Sequence, residues 1–62
     1  MNTIKCPICG NTEGLEEEYD VCHKCGWEID YIQQKDPDLA GGANHMSVNQ
    51  AREAYAKGEP VR

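Results

Sequence analysis

All four cysteines of this chain fall in one short span, as Cys6-Pro7-Ile8-Cys9-Gly10 and Cys22-His23-Lys24-Cys25-Gly26. The pattern is C-x2-C-x12-C-x2-C, and nothing else in the sequence restricts the fold so strongly. Two residues between paired cysteines let one tight turn aim both sulfurs at a single ion. The N–H groups inside such a turn point at the sulfurs and offset thiolate charge. A glycine after each pair permits positive φ, so the chain leaves without a Cβ clash, and Pro7 fixes φ in the first turn. Two turns of this kind build a closed, tetrahedral S4 site of the structural type, with Cys6, Cys9, Cys22 and Cys25 as ligands. The twelve-residue separation is slightly tighter than usual, a gap that a short hairpin can fill.

Other uses of four thiols fit less well. Disulfides need an oxidising compartment, and the opening MNTIKCPIC lacks the apolar stretch of a secretory signal. No apolar run approaches the ~18 residues of a membrane span. The expectation is a cytoplasmic protein with reduced thiols. A thioredoxin-like dithiol needs a βαβ unit, for which the chain is too short. Iron is the closer alternative, since S4 sites suit both metals. Iron carriers are usually more aromatic around the site, whereas here there are only Trp27 and three tyrosines. One structural Zn2+ is therefore expected, with iron as the alternative.

The metal is needed because the rest of the chain is weak. With 62 residues and no Phe, one domain is the limit. A chain of this size buries only about 60% of its unfolded surface. The large apolar residues, Ile4, Ile8, Leu15, Val21, Trp27, Ile29, Ile32, Leu39 and Val48, are few and scattered. Structural zinc contributes on the order of 10–16 kcal/mol in small finger peptides, comparable to the whole stability of a small domain, about 5–15 kcal/mol. The ion-free chain is accordingly expected to be unfolded, at least over residues 4–30.

The formal net charge is −5, and four thiolates around one divalent ion would bring it to about −7. Such a field repels phosphate backbones and attracts cationic partners. No basic patch offsets it: Lys5 and Lys24 sit singly beside cysteines, and Arg52, Lys57 and Arg62 are spread along the tail.

A single domain of residues 1–62 divides into three stretches. Residues 1–32 carry the cysteines and short β-type segments, Asn2–Lys5, Gly14–Val21 and Trp27–Ile32, expected to form a small antiparallel sheet. Residues 33–46 read as a polar, Gly-rich loop marked by Pro37 and Gly41-Gly42. Residues 47–58 read as a helix: Ser47 and Gln50 form a capping box, Val48, Ala51 and Tyr55, with Ala54 beside them, give a narrow apolar stripe facing Trp27, and Gly58 with Pro60 closes it. The EPVR tail is expected to fray. The fold class is thus a small metal-stabilised α+β domain, a zinc ribbon followed by one C-terminal helix.

Catalytic patterns are scarce. A closed S4 site leaves no open coordination position. The deaminase pattern, the phosphate loop, the serine elbow and H-E-x-x-H are all missing. His23, between two ligands, and His45, in the Gly/Asn loop, read as non-ligating. The remaining candidates are Asp36, Asp38, Asn44 and Arg52, as a partner-binding or carboxylate site. Their architectural reading is that Asp36-Pro37-Asp38 makes turns, Asn44 bonds backbone groups, and Arg52 pairs with Asp30, Asp36 or Asp38.

These residues together resemble a bacterial family of cysteine-rich proteins named for a CPCC motif. The resemblance covers roughly residues 5–55: Cys6-Pro7-x-Cys9-Gly10, Cys22-x-x-Cys25-x-Trp27-Glu28-x-Asp30, Asp36-Pro37-Asp38, Gly41-Gly42-Ala43-Asn44, Ser47, Ala51-Arg52 and Tyr55. Ile8 stands where the family motif has a further cysteine, which removes that thiol but leaves the C-x-x-C spacing intact. The resemblance implies a small zinc-ribbon-like protein of bacterial or phage origin, in some cases accompanying toxin or defence systems. Charge and motifs favour a non-enzymatic protein-interaction module with a basic protein partner, an inhibitor, immunity or anti-defence protein being its sharpest form. A nucleic-acid-binding ribbon is the alternative, and an enzyme with a carboxylate site in the 36–52 region a further one. A monomer or small homo-oligomer is expected, with no membrane association.

Overall fold

The structure is a computed structural model and describes residues 4–61. Its first half consists of two tight turns, each closed by backbone hydrogen bonds. In the first, Cys6 N–H donates to Asn11 O at 2.8 Å and Gly10 N–H to Cys6 O at 3.0 Å, while Ile4 N–H reaches Leu15 O at 3.1 Å. In the second, Cys22 N–H donates to Trp27 O at 2.8 Å and Gly26 N–H to Cys22 O at 2.7 Å. The glycines leaving the two turns have φ of 82° at Gly10 and 89° at Gly26, the left-handed backbone for which glycine is the default.

The expected sheet reduces, among the described residues, to one antiparallel bridge between Val21 and Glu28. Two local features stop longer strands. The Asp20 carboxylate accepts from Glu16 N–H at 2.9 Å and Glu17 N–H at 3.1 Å, and Asp20 N–H returns to Glu17 O. This bends the chain in the middle of the Gly14–Val21 segment. Tyr19 takes φ of 72° in that bend. Left-handed backbone costs a non-glycine residue roughly 1–2 kcal/mol. Tyr19 N–H donates to Ile29 O while Ile29 N–H donates to Asp20 O, so Tyr19 and Asp20 together face Ile29 as a glycine-type bulge does. The Asn2–Lys5 segment lies partly outside the described residues.

The Trp27–Ile32 segment ends early because Asp30 starts a helix, α1 (Tyr31–Lys35). The sequence alone reads as strand and loop here. Asp30 Oδ1 accepts from Ile32 N–H at 2.9 Å and Gln33 N–H at 3.2 Å, satisfying donors that a helix start leaves orphaned. The second helix, α2 (Val48–Ala56), begins on Ser47 with a reciprocal capping box to Gln50. Its buried face is Val48, Ala51 and Ala54. Tyr55, expected to face inward, is 47% exposed, because the stripe continues by three residues to Ala54 and Tyr55 lies about 100° further round. The tail does not fray throughout: Glu59 N–H returns to Ala54 O at 2.8 Å, and Val61 is buried.

One core joins the two halves. Cys6, Leu15, Cys22, Trp27, Ile29, Val48, Ala51, Ala54 and Val61 form a single buried cluster, with Ile4, Ile8, Cys9, Cys25 and Met46 packed on it. Trp27, Leu15 and Ile29 are fully buried. No helix among the described residues is long and apolar enough to cross a membrane.

The connection from α1 to α2 wraps around a buried pair of amides. The Gln33 side chain, fully buried, has its Nε2 within 3.1 Å of the carbonyls of Leu39, Asn44 and Met46. Its Oε1 accepts from Asn44 N–H at 3.1 Å and Asn44 Nδ2 at 3.0 Å. Asp30 Oδ2 accepts from Ala43 N–H at 3.0 Å. Gly42 passes so close that a Cβ there would lie 2.8 Å from both Asp30 Oδ2 and Gln33 Cδ. The Gly41-Gly42-Ala43-Asn44 run is thus fitted to Asp30 and Gln33 by close approach and hydrogen bonding.

Candidate metal centre

The two turns face one another and bring four sulfurs together. Cys6 Sγ lies 3.5 Å from Cys25 Sγ, and Cys9 Sγ lies 3.5 Å from Cys22 Sγ. All four ligand atoms fall within 4.8 Å of one another, and none of the cysteines is in a disulfide. A tetrahedron with metal–sulfur bonds of about 2.3 Å has edges of about 3.8 Å, so small sulfur movements suffice to close on an ion. Each turn supplies one buried ligand, Cys6 or Cys22, and one half-buried ligand, Cys9 or Cys25. Four soft donors at this spacing fit a thiophilic ion and fill all four positions of a tetrahedron.

The surroundings are graded from one sulfur to the next. Burial works against the Cys22 thiolate, but the N–H groups of Cys25 and Lys24 and the Asn11 amide outweigh it and hold this thiol at about 6. Burial pushes the Cys6 thiol up. It does the same at Cys25, where the nearby Cys6 and Cys22 add to the effect. A bound cation reverses this balance by favouring every thiolate.

Asn11 is not among the candidates the sequence offers. It is 7% exposed, and its Nδ2 lies 3.5 Å from Cys22 Sγ and 2.9 Å from Glu13 O. Its Oδ1 accepts from Glu13 N–H at 3.1 Å, and its carbonyl accepts from Cys6 N–H. One residue therefore closes the first turn and supports a sulfur of the second. Groups behind a ligand orient it and tune its basicity. The available sequence signal is an Asn one residue past Cys-x-x-Cys-Gly, at a place where Asn favours a turn bonded two residues on.

The loop candidates do not converge. Asn44 is buried and turned inward: Oδ1 accepts from Glu28 N–H at 2.9 Å, and Nδ2 donates to Glu28 O at 2.8 Å. Asp38 accepts from Asn49 Nδ2 at 2.7 Å at the start of α2. Asp36 caps the end of α1, its N–H donating to Ile32 O. Arg52, expected to pair with an aspartate, donates through Nε to Pro7 O at 2.7 Å. The ion pair found among the described residues is Lys57–Glu53, so none joins Arg52 to Asp30, Asp36 or Asp38. Arg52 instead ties α2 to the first cysteine turn. Asp30, within the same loop network, is held below the usual carboxylate range by Ala43 N–H, against opposing burial and with help from Gln33 and Ile32 N–H. His23 and His45 are exposed, and neither belongs to the cysteine cluster.

No curated protein matches the chain. A family model does, over residues 4–58, a span that takes in all four cysteines, the Asp30–Gln33–Asn44 network and α2. The chain belongs to the cysteine-rich CPCC family.

Proposed function

We propose that this protein is a small, non-enzymatic binding module, organised by one structural Zn2+ on Cys6, Cys9, Cys22 and Cys25, that recognises a basic protein. The observation that carries the metal part is the convergence of four sulfurs within 4.8 Å. A site with all four positions taken by protein thiolates has none left for water or substrate, as structural zinc sites do. Zinc is favoured over iron because only Trp27 and three tyrosines supply aromatic character. The zinc-ribbon description rests on the two opposed turns, each leaving through a left-handed glycine.

The binding part rests on charge. The chain carries −5 before any thiolate is counted, which favours encounter with cationic surfaces and disfavours phosphate backbones. Blocking a basic toxin or nuclease, in the manner of an immunity or anti-defence protein, is the specific role this reading supports. Asp36, Asp38, Asn44 and Arg52 then act in architecture, since each is engaged with backbone or side chains of its own neighbourhood.

Two measurements test the proposal. Elemental analysis of reduced, purified protein is expected to give one zinc per chain; a metal-free folded protein, or one loaded with iron, overturns the zinc assignment. Affinity capture from the native host is expected to retain a basic protein on the wild type and not on Cys22→Ala. A partner retained equally by that variant, or an acidic one, overturns the binding role.

A further inference from the structure

The Val21–Glu28 bridge, which flanks the second cysteine turn, has two outer edges, and the two differ. Val21 and Glu28 face each other in a bridge whose hydrogen bonds run through their neighbours, Cys22 N–H to Trp27 O and Ile29 N–H to Asp20 O. In such a pair the N–H and C=O of the two facing residues point away from each other, toward the outer edges. On the Glu28 side, that outward pair is met by Asn44, whose side-chain amide accepts from Glu28 N–H and donates to Glu28 O. The amide stands where the backbone of a third strand would. On the Val21 side, neither outward group has a hydrogen-bond partner among the described residues.

A second observation falls on the same edge. Tyr19, two residues before Val21, holds a left-handed φ of 72° at a bulge position that glycine normally fills. Its side chain is 59% exposed, so burial does not compensate the strained backbone. An observed strain of this kind points to a use for the side chain or the turn. Val21 and Tyr31 are also about half exposed, and Tyr31 N–H donates to Glu18 Oε2 at 3.2 Å, which sets the start of α1 beside this turn. Glu16, Glu17, Glu18 and Asp20 line the approach to the edge in sequence, and Glu28 lies across the bridge.

We infer that the Tyr19–Val21 edge is a docking strand for an extended, lysine- or arginine-bearing segment of a partner protein. The segment adds backbone hydrogen bonds to Val21, the recurring mode in which a peptide extends a sheet edge. Its cations face Glu16, Glu17, Glu18 and Asp20, and Tyr19 supplies an aromatic contact. The second cysteine turn, beginning at Cys22, limits the paired length, so charge and the tyrosine supply much of the selectivity. A second copy of this chain is the less suitable occupant, because it brings the same acidic groups to the same edge. The inference rests on the reading of the protein as a binder of a basic protein and assigns that role a place and a geometry.

The test uses the full metal-loaded chain and a blocked peptide of alternating lysine and valine, followed by amide NMR. Saturable shifts are expected at Tyr19 to Cys22, with slowed exchange of Val21 N–H. A glutamate-for-lysine peptide is expected to leave the spectrum unchanged. Val21→Pro removes the outward N–H without touching the hydrogen bonds made by Cys22 and Ile29, and proline is tolerated on edge strands; about tenfold weaker binding is expected. Tyr19→Gly, which relaxes the backbone, is expected to weaken binding about fivefold without lowering the melting temperature, and keeps the test decisive if the proline variant fails to fold. Shifts confined to another surface, or full binding by both variants, overturn the edge assignment and leave the basic-partner reading standing. Equal binding of the acidic peptide overturns both. Concentration-dependent shifts at Val21 without peptide identify a second copy as the occupant and overturn the basic segment.

Discussion

Replacing Gly42 with alanine should damage this protein out of proportion to the single methyl group added. The new Cβ would sit 2.8 Å from Asp30 Oδ2, 2.8 Å from Gln33 Cδ and 2.9 Å from Gln33 Cγ. Neither neighbour is free to recede. Asp30 is held by Ile32, Gln33 and Ala43 N–H groups, and Gln33 by the carbonyls of Leu39, Asn44 and Met46. Pressing a Cβ against side chains held in this way costs about 1–3 kcal/mol, and displacing the part-buried hydrogen bond from Ala43 N–H to the Asp30 carboxylate adds roughly 1.5–3 kcal/mol. The smaller unfolded-state entropy of alanine returns at most about 1 kcal/mol. A net loss of about 2–4 kcal/mol is expected, equivalent to a fall in Tm of about 10 °C or more for a domain of this size. Gly41→Ala is the control. Its φ is 81°, yet nothing lies within 4 Å of its would-be Cβ, so only backbone strain of about 1–2 kcal/mol applies. Trp27, the single tryptophan and fully buried, reports unfolding by its fluorescence. Denaturant titrations must be run at fixed free metal, because a bound ion shifts apparent stability. A Gly42→Ala loss no larger than that of Gly41→Ala would refute the close-packing argument.

Other expected outcomes follow from the same contacts. Asn44→Asp puts a carboxylate oxygen where an amide donates to Glu28 O and Gln33 Oε1; a loss of about 3 kcal/mol or more is expected in the same denaturant assay, and a change under 1 kcal/mol would contradict it. Asn11→Ala removes a donor 3.5 Å from Cys22 Sγ and should lower metal affinity roughly 10-fold or more in competition with a chromophoric chelator, while leaving one metal per chain. Removing the metal with excess chelator should red-shift Trp27 emission and abolish the helical far-UV signal in one transition, since Trp27, Cys6, Cys22 and the inner face of α2 share one core. Retention of the helical signal after metal loss would separate α2 from the metal-dependent fold.

The convergence of the four cysteines was legible in sequence because two C-x2-C turns, each followed by glycine, obey fixed short-range geometry. The start of α2 was legible for a similar reason, as a capping box is complete within Ser47–Gln50. What escaped depends on partners distant in the chain. Gln33 reads as a polar loop residue until Asn44 and Met46 close over it. Arg52 was matched to nearby aspartates, but its partner is a carbonyl 45 residues away. Tyr55 and Ala54 compete for the same stripe, and three-residue spacing won over the larger side chain. α1 carried a usable signal, Asp30 as cap and Pro37 as stop, but the β-branched and aromatic residues between Trp27 and Ile32 obscured it.

Two of the four sulfurs, those of Cys6 and Cys22, belong to the same interior as Trp27, Ile29 and Val48. Under the proposed metal binding, chemical injury to either thiol would therefore reach the interior directly. On that reading, a chain synthesised during metal starvation would lack both its crosslink and its packed centre, and would meet proteases as an open polypeptide. Its abundance would then follow metal supply without any dedicated sensor.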